Sequence, residues 1–525
     1  MTETLTGTNR SAGPAYDELL DADTRPVPEH LRRVSLLDPG PTQVPVECYT
    51  SREFHDLEVE RLWKRVWQLA GHEDDIPDVG DYLVYDVAEL SFLVVRTEPD
   101  AFKAYWNACL HRGRLLRDGG GKRAKDLRCS FHGWCWNLDG SSKEVPCEWD
   151  FEGADVRNQS LPEVRIGRWG GFLFINPDPD AEPIDDFFGD LEDHFTTLPY
   201  ERRYKEAHVA KVLRCNWKVA QEAFMEAYHV LATHPQILGT IGDANSKYDA
   251  FTHYSRAISP NAVPSPHLVG MPEWAVLPDA RPQLLRHPLS GTVYARVDDG
   301  LVEATATDGR AGIFRADGTW VDGELGEADP QMCNWVGGAV LPPPAQASST
   351  GAAADARRAI ARGEGAQNEL SPRAAAAERV RDHLREQTGT MIDDVCDAEL
   401  VDSIYFTVFP NWHPWGAFNR IVYRFRPHGN NPDESIMECM YFAPAPEGKP
   451  RPEAAPIHWL DVDDDWTEAP ELGMLAKVFN QDTYNLPSVQ RGLHTTSREF
   501  VQFGDYGETK IRHFHQVLAE FLARE

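Results

Sequence analysis

Between Gly80 and Pro177 the chain consists of short apolar runs separated by glycine, aspartate and proline. The runs include YLVYDV, LSFLVVRT, AYWNACL and GFLFINP, which are rich in β-branched and aromatic residues and too short for helices. Just before them, apolar residues recur at roughly helical spacing, namely Phe54, Leu57, Leu62 and Val66. The pattern predicts a small all-β unit that the chain enters through a helix.

The pattern changes from Asp185 onward, where segments of helical length are mixed with later strands such as SIYFTVFP and FNRIVYRFRP. We predict an α+β fold for this larger part. In the last segment, TKIRHFHQVLAEFLARE, one helical face collects Ile511, Phe514, Val517, Leu518, Phe521 and Leu522. That face predicts packing in the core or against another subunit.

These changes of pattern divide the chain of 525 residues into three parts. Residues 1–49 are polar and rich in proline, which predicts a poorly ordered N-terminal arm. Residues 50–180 hold the leading helix and the all-β unit, and residues 181–525 hold the α+β domain. Residues 340–375 are low in complexity and predict a surface insertion within that domain.

Charge restricts the possible partners. With 52 Lys and Arg against 83 Asp and Glu, the formal charge of −31 argues against binding to nucleic acid or to an anionic membrane. The N-terminal residues contain no charged-then-apolar leader, and no apolar run approaches the length of a membrane span. We therefore expect a cytoplasmic protein.

Nine cysteines spread over 525 residues do not form a disulfide framework, and an odd number cannot be paired completely within the chain. Two of them stand out because each has a histidine close by, as Cys109-x-His111 and Cys129-x-x-His132. Two thiolates and two imidazoles can hold tetrahedral zinc, although zinc fingers usually pair cysteine with cysteine and histidine with histidine. Mixed pairs also suit a two-iron cluster in which one iron takes both thiolates and the other takes both imidazoles.

The segments NACLHRG and CSFHGWCWNLDG resemble the two ligand loops of the Rieske [2Fe–2S] domain of Rieske-type oxygenases. The resemblance implies that Cys109 and Cys129 bind one iron of the cluster and that His111 and His132 bind the other. Glycines follow the histidines in both loops and allow a close approach of backbone amides to the cluster.

A second constellation, Glu226-x-x-His229-x-x-x-x-His234, lies in NWKVAQEAFMEAYHVLATHPQ. A five-residue step rotates by about 140° on a regular helix. The two imidazoles therefore reach one metal only if the helix distorts or ends, and Pro235 is a plausible terminator. The spacing is similar to the mononuclear iron motif of Rieske oxygenases, whose third ligand is a carboxylate from a late helix. KVFNQDTYNLPSVQRGLHT resembles that helix and suggests Asp482.

The resemblance extends from about Cys48 to the C-terminus, apart from the insertion, and is to the large (alpha) subunit of ring-hydroxylating oxygenases. It implies a helix-grip catalytic domain, in which an antiparallel sheet wraps a long helix, and a mononuclear Fe(II) site. It also implies that Glu226 bridges a cluster histidine of one subunit to His229 of the next. Ala223 departs from the family's pattern, in which Asn is common, and leaves the hydrogen bonding around the metal site open.

Several partners follow from this resemblance. The bridge needs a neighbouring subunit, which implies a homotrimer or a hexamer of stacked trimers, with a possible small beta subunit. The chain shows no glycine-rich nucleotide loop, so NAD(P)H and flavin are expected to bind a separate reductase that acts directly or through a ferredoxin. A basic stretch suggests where a ferredoxin docks. It comprises Arg112, Arg114, Arg117, Lys122, Arg123, Lys125 and Arg128.

The expected reaction is hydroxylation of an organic substrate by O₂, as dihydroxylation, monohydroxylation or oxidative demethylation. Phe224 beside the iron motif and Trp412 in FPNWHPWGAF are candidates to line an apolar pocket, which favours an aromatic or polycyclic substrate. Two alternatives stay open. One is a Rieske electron carrier without catalysis, and the other is a zinc-stabilised helix-grip protein that only binds a ligand.

Overall fold

The structure is a computed structural model that describes residues 11–35, 37–275, 284–341, 370–446 and 448–524. It has the predicted combination of an all-β unit and an α+β unit. Most of the predicted low-complexity insertion, residues 342–369, lies outside the described part of the chain. Among the helices of the described residues, none has the length and apolar character needed to cross a membrane.

The N-terminal arm packs against the rest of the molecule from residue 11, although its composition predicted poor order. Its elements are α1 (Tyr16–Asp21), α2 (Glu29–Arg32) and β1 (Gln43–Pro45). The strand β1 pairs antiparallel with residues 500–502 near the C-terminus. The buried hydroxyl of Tyr16 donates a hydrogen bond to Asp402 over 2.9 Å. Long-range pairing and buried polar contacts therefore order a segment whose local sequence gives no such signal.

The leading helix and the all-β unit follow. The helix consists of α3 (Glu47–Thr50), α4 (Arg52–Glu58) and a π-helical turn at Val59–Trp63. A six-stranded antiparallel sheet has the order β2-β10-β9-β5-β4-β3, and a three-stranded sheet, β6-β7-β8, projects from it. The strands are β2 (Gln68–His72), β3 (Tyr82–Val87), β4 (Leu90–Glu98), β5 (Ala101–Trp106), β6 (Leu127–Arg128), β7 (Cys135–Trp136), β8 (Ser142–Glu144), β9 (Glu163–Trp169) and β10 (Phe172–Asn176).

The α+β unit is built on an eight-stranded sheet with the order β12-β13-β19-β20-β21-β22-β11-β23. Its neighbouring strands are antiparallel except for β23, which runs parallel to β11. The strands are β11 (Arg203–Leu213), β12 (Lys247–Ala250), β13 (Tyr254–Ser259), β19 (Ser403–Val408), β20 (Trp412–Pro414), β21 (Ile421–His428), β22 (Asn431–Pro444) and β23 (His458–Leu460).

The helices of this unit are α5 (Ile184–Phe188), α6 (Trp217–Glu222), α7 (Val230–Thr233), α9 (Pro372–Thr388), α10 (Asp397–Val401), α11 (Leu475–Thr495) and α12 (Thr509–Ala523). Of these, α6, α11 and α12 pack on the sheet, as the helix-grip prediction requires. The predicted apolar face of α12 is buried, with Ile511, Phe514, Val517, Leu518 and Phe521 in the core. The long helix α11 lies against α6 and presents a buried face that includes Phe479, Asp482 and Leu486.

A separate five-stranded antiparallel sheet interrupts the α+β unit, and the sequence pattern did not predict it. Its elements are β14 (Leu284–Arg286), β15 (Val293–Asp298), β16 (Leu301–Thr305), β17 (Ala311–Arg315), β18 (Trp320–Gly323) and the helix α8 (Pro330–Gly337). Tyr294, Val302, Phe314 and Met332 form a small core of its own. We call this sheet with α8 the inserted sheet.

The two units are joined through buried polar groups. Arg424 of β21 donates to the carbonyls of Leu69 and Ala70 in β2 over 3.1 and 2.7 Å, and to Glu438 over 3.1 Å. Burial raises the pKa of Glu438, but Arg424 and Arg426 hold it well below the usual range. At this junction the buried negative charge of Glu438 is therefore balanced by the positive charges of Arg424 and Arg426.

Candidate metal centres

Two loop tips of the all-β unit, one after β5 and one between β6 and β7, are closed in the same way. The amide of Gly113 donates to the carbonyl of Cys109 over 2.9 Å, and that of Gly133 donates to Cys129 over 3.1 Å. Both glycines have a left-handed φ, +75° and +79°, which other residues rarely adopt. The glycines predicted to permit a close backbone approach thus stand at the turn that each tip requires.

Backbone amides surround both sulfur atoms. Those of His111 and Arg112 point to Cys109, and those of Phe131 and His132 point to Cys129. Burial raises the pKa of Cys129, but the amide of Phe131, a hydrogen bond with the Cys109 thiol and the amide of His132 together bring it below that of an ordinary thiol. The pKa of Cys109 is raised, by burial and by its contact with Cys129. Buried thiols that face amide donors are suited to act as thiolate ligands.

The two histidines lie side by side, with ring centroids 4.5 Å apart and planes at 74°. The ring of His111 stacks on Trp134, with centroids 5.1 Å apart and planes at 5°. Within the described residues, the buried Nδ1 of His111 has no hydrogen-bond partner. An orphaned imidazole nitrogen beside two thiols is expected where a metal takes the place of the missing partner.

The spread of these ligands bears on the choice between zinc and a cluster. Only one set of three or more candidate ligand atoms lies within 4.8 Å of one another in the described part of the chain, and it is not at the tips. Ligands of one tetrahedral zinc lie closer together than this, because each is only about 2.0–2.3 Å from the metal. One thiol and one imidazole at each tip suit a two-iron cluster, in which one iron takes both thiolates and the other takes both imidazoles.

The set that does converge is His229, His234 and Asp482. Helix α7 ends at Thr233, and His234 leaves the helical conformation with φ −126° and ψ 49° just before Pro235. The predicted end of the helix is confirmed, and it turns the second imidazole toward the first. Their ring centroids are 5.2 Å apart.

Asp482 completes this set from α11. Its Oδ1 is 2.8 Å from Nε2 of His234 and 3.7 Å from Nε2 of His229. Asp482 lies one turn after Phe479 and one turn before Leu486 on the buried face of the helix, which is why it points inward. Two imidazoles and one carboxylate that leave further positions open are the donor set of non-haem Fe(II) oxygenases.

Glu226 lies behind His229. One carboxylate oxygen is 2.6 Å from Nδ1 of His229, and the other accepts the amide of His229 over 3.0 Å and the amide of Tyr228. Burial lowers the pKa of His229, but Glu226 outweighs this effect and raises the pKa to about 9. The carboxylate fixes the proton on Nδ1 and leaves Nε2 to face Asp482.

A model of the Rieske [2Fe–2S] domain matches residues 66–156. A model of the ring hydroxylating alpha subunit (catalytic domain) matches residues 197–282 and 337–524, more than half of the chain. The chain belongs to the ring-hydroxylating alpha subunits. The four tip residues fall within the first match, and Glu226, His229, His234 and Asp482 fall within the second.

Among curated relatives, this alpha subunit is 34% identical over 206 residues to the chlorobenzene dioxygenase alpha subunit of Cupriavidus sp. strain PS12. That alignment covers 38% of this chain and 46% of the relative. It is 29% identical over 204 residues to the carnitine monooxygenase oxygenase subunit of Acinetobacter baumannii, covering 36% and 52%. The chain thus spans about half the length of the curated relatives it matches.

Solved structures extend the likeness of fold to nearly the whole alpha subunit. A naphthalene 1,2-dioxygenase with indole bound has a TM-score of 0.54 at 18% identity, and the match covers 92% of each chain. A quaternary ammonium Rieske monooxygenase in complex with an inhibitor has a TM-score of 0.53 at 16% identity, covering 91% of this chain and 94% of the other. At these identities the likeness concerns the fold alone.

The two predicted pocket residues of this alpha subunit have different surroundings. Phe224 packs against Tyr423, Phe425 and Phe479, with ring centroids 5.1, 5.4 and 5.9 Å away, and Phe479 is one turn from Asp482. It remains a candidate to line the site.

Trp412 is not placed to line it. Its ring is buried at the junction of the two units among aromatic side chains at 5.0–5.9 Å, namely Trp169, Phe172, Phe174 and Phe188. Successive residues of a strand point to opposite faces, so the side chain on the α6 side is that of His413. His413 lies 3.1 Å from Gln221 of α6 and was not singled out from the sequence.

The predicted docking stretch is less positive than its sequence suggested. Four of its seven basic side chains form ion pairs within the alpha subunit, namely Arg114 with Asp118, Lys122 with Asp81, Arg123 with Asp78 and Arg128 with Glu144. Arg112 instead lies over the ring of Phe131 at 5.4 Å. Asp118 within the stretch and three acidic residues outside it pair with these side chains, which weakens the docking hypothesis at those four positions.

Proposed function

We propose that this alpha subunit is the terminal component of a Rieske-type oxygenase that hydroxylates an apolar, aromatic or polycyclic organic substrate with O₂. The observation that carries the proposal is the presence of two different donor sets in one chain. Two thiols and two imidazoles at the loop tips suit electron transfer, and His229, His234 and Asp482 suit a non-haem iron. A protein that only carried electrons would not need the second set.

The side chains around the second set have definable tasks. Bound Fe(II) would supply the activation of O₂. His229, His234 and Asp482 would occupy one side of the metal and leave the other side for O₂ and substrate. Glu226 holds the proton on Nδ1 of His229, and Gln481 accepts from Nδ1 of His234 over 2.9 Å. With Nδ1 held by these oxygens, both imidazoles present Nε2 to the metal.

We propose that electrons reach this site from the cluster of a neighbouring subunit through Glu226, in a homotrimer or a hexamer of stacked trimers. Exposed aromatic side chains at both ends of such a bridge support a protein contact there. Phe131 beside His132 is 56% exposed, and Tyr228 between Glu226 and His229 is 71% exposed. Electrons would enter from a ferredoxin or a reductase that binds NAD(P)H and flavin. A small beta subunit and a cytoplasmic location belong to the same proposal.

The aromatic wall formed by Phe224, Tyr423, Phe425 and Phe479 supports a flat apolar substrate. A quaternary ammonium compound is a second candidate, because aromatic faces also attract such cations and a carnitine monooxygenase subunit is among the relatives. The two classes differ in charge and can be separated by experiment.

The test is O₂ consumption and product analysis by the purified alpha subunit supplied with NAD(P)H, a ferredoxin reductase and a ferredoxin. The panel would contain mono- and polycyclic aromatic hydrocarbons and quaternary ammonium compounds such as carnitine. We expect oxygen-labelled hydroxylated product from an aromatic member when ¹⁸O₂ is used. Product from the ammonium compounds alone would favour the second candidate. Reduction of the cluster without any substrate-dependent O₂ consumption would favour the electron carrier.

A further inference from the structure

The inserted sheet falls between the two stretches that the family model matches, residues 197–282 and 337–524. It is nevertheless in contact with the helix that carries Asp482. Helix α8 packs on α11, and the hydroxyl of Tyr484 donates to the carbonyl of Asp317 over 3.2 Å. A part of the chain that the family model does not match therefore lies against an element of the candidate iron site.

One of these contacts is buried and reciprocal. The side-chain amide of Gln481 donates to the carbonyl of Gln331 in α8 over 3.0 Å, and the side chain of Gln331 donates to the carbonyl of Gln481 over 3.3 Å. Gln481 is fully buried and Gln331 is 4% exposed. Buried amides are held firmly by such bonds, because water cannot replace a lost partner.

The same amide determines the state of a candidate iron ligand. The Oε1 of Gln481 lies 2.9 Å from Nδ1 of His234, while Nε2 of that ring is 2.8 Å from Asp482. If the amide were reversed, its NH₂ group would face the proton on Nδ1 and its oxygen would face the carbonyl of Gln331. The carbonyl of Gln331 thus selects the orientation in which Gln481 accepts from His234.

We propose that the inserted sheet positions His234 for iron through the chain Gln331 carbonyl, Gln481 amide and His234 imidazole. Gln481 is a positioning residue in this chain, since it touches the ligand and not the metal. Gln236 assists, because its side-chain amide donates to Oε1 of Gln481 over 2.7 Å. The inference rests on the proposed iron site and adds a role for a part of the chain that the family model does not match.

The test compares Gln481→Leu, Gln481→Glu and the control Tyr484→Phe. The leucine variant loses both the acceptor for His234 and the donor to Gln331. The glutamate variant keeps the acceptor, but places a second oxygen against the carbonyl of Gln331. The control removes a different contact between α11 and the inserted sheet. Each full-length protein, stripped of mononuclear iron anaerobically, is titrated with Fe(II), and the ferrous nitrosyl form is examined by electron paramagnetic resonance.

We expect the leucine variant to bind Fe(II) about 10–100-fold more weakly. The glutamate variant should also differ from the wild type in Fe(II) affinity and nitrosyl spectrum. The control should have the wild-type affinity and spectrum. An unchanged Rieske signal in every variant reports an intact fold. Wild-type affinity and spectrum in the glutamate variant would overturn the role of the inserted sheet, and the same result in the leucine variant would overturn that of Gln481. If the wild type itself bound no iron beyond the cluster, the proposed function would fail instead.

Discussion

At the scale of single residues, Glu226 has three hydrogen bonds in one subunit and a proposed partner in another. Replacement by Gln leaves one oxygen for these contacts and removes the negative charge next to His229. We expect Glu226→Gln to lower substrate turnover by about 10–100-fold while the cluster signal is kept. The measurement is steady-state turnover together with the rate of cluster oxidation by O₂. Turnover equal to that of the wild type would exclude the bridge.

Phe224 and Trp412 should behave differently on truncation. Phe224→Ala opens the aromatic wall and should alter the KM and product distribution without loss of iron. Trp412→Ala removes a ring that is buried between the two units and should cost about 3–5 kcal/mol of stability. The stability of both variants is measured by thermal unfolding, and their KM and products by substrate kinetics. A change of product pattern in Trp412→Ala with unchanged thermal stability would contradict the assignment.

Residue chemistry could be predicted where spacing along the chain determines it. The Cys–His pairs and the Glu-His-His motif are local, and the structure places His111 beside His132 and His229 beside both Glu226 and His234. Asp482 depended on a resemblance, because its partners are about 250 positions away. Trp412 is buried at the junction of the two units, and an aromatic-rich strand does not reveal which of two successive residues faces α6. Gln481 carries no signal of its own in the sequence.

At the scale of elements, a buried ion pair joins the leading helix to the helix before the iron motif. Lys218 of α6 and Glu58 of α4 are both fully buried, with Nζ and Oε1 2.6 Å apart. Lys218→Met leaves the buried carboxylate of Glu58 without its cationic partner, so it should lower the free energy of unfolding by about 3–5 kcal/mol. The double variant Lys218→Met/Glu58→Leu should recover most of that loss. Denaturant unfolding measures the stability of both variants. If the double variant lost as much stability as Lys218→Met, the unpaired carboxylate would not be the cause of the loss.

The ends and buried faces of elements were predictable where a feature of the local sequence determines them. Pro235 marks the end of α7, and the apolar stripe of α12 marks its buried face. The inserted sheet was missed because its strands are only three to six residues long. Burial alternates along β16 and β17, but apolar and polar residues do not alternate in their sequences, LVEAT and AGIFR. The N-terminal arm was also missed, since its order comes from pairing with residues more than 350 positions away.

At the scale of the whole molecule, the junction of the two units should respond to pH. His72 is buried between Phe172 and Phe442, and burial lowers its pKa to about 4. Because the unfolded ring titrates near its ordinary value of about 6.5, the unfolded state binds the extra proton between these values. His72 therefore contributes stability that is fully present above about pH 6.5 and is lost as the pH falls toward 4.

This contribution can be isolated with His72→Gln, which keeps an acceptor for the amide of Asp74. Between pH 7 and pH 4 the unfolding temperature should fall less steeply for the variant than for the wild type. A parallel decline would mean that His72 does not titrate in this way.

The central claim is that one chain holds both a cluster and a separate mononuclear iron. The most direct test measures iron and acid-labile sulfide in protein purified anaerobically, with electron paramagnetic resonance after reduction by dithionite. We predict three irons and two sulfides for each wild-type chain, and two irons with an unchanged Rieske signal for His229→Ala. A protein that contains zinc, shows no such signal and cannot be reconstituted with iron and sulfide would contradict the account.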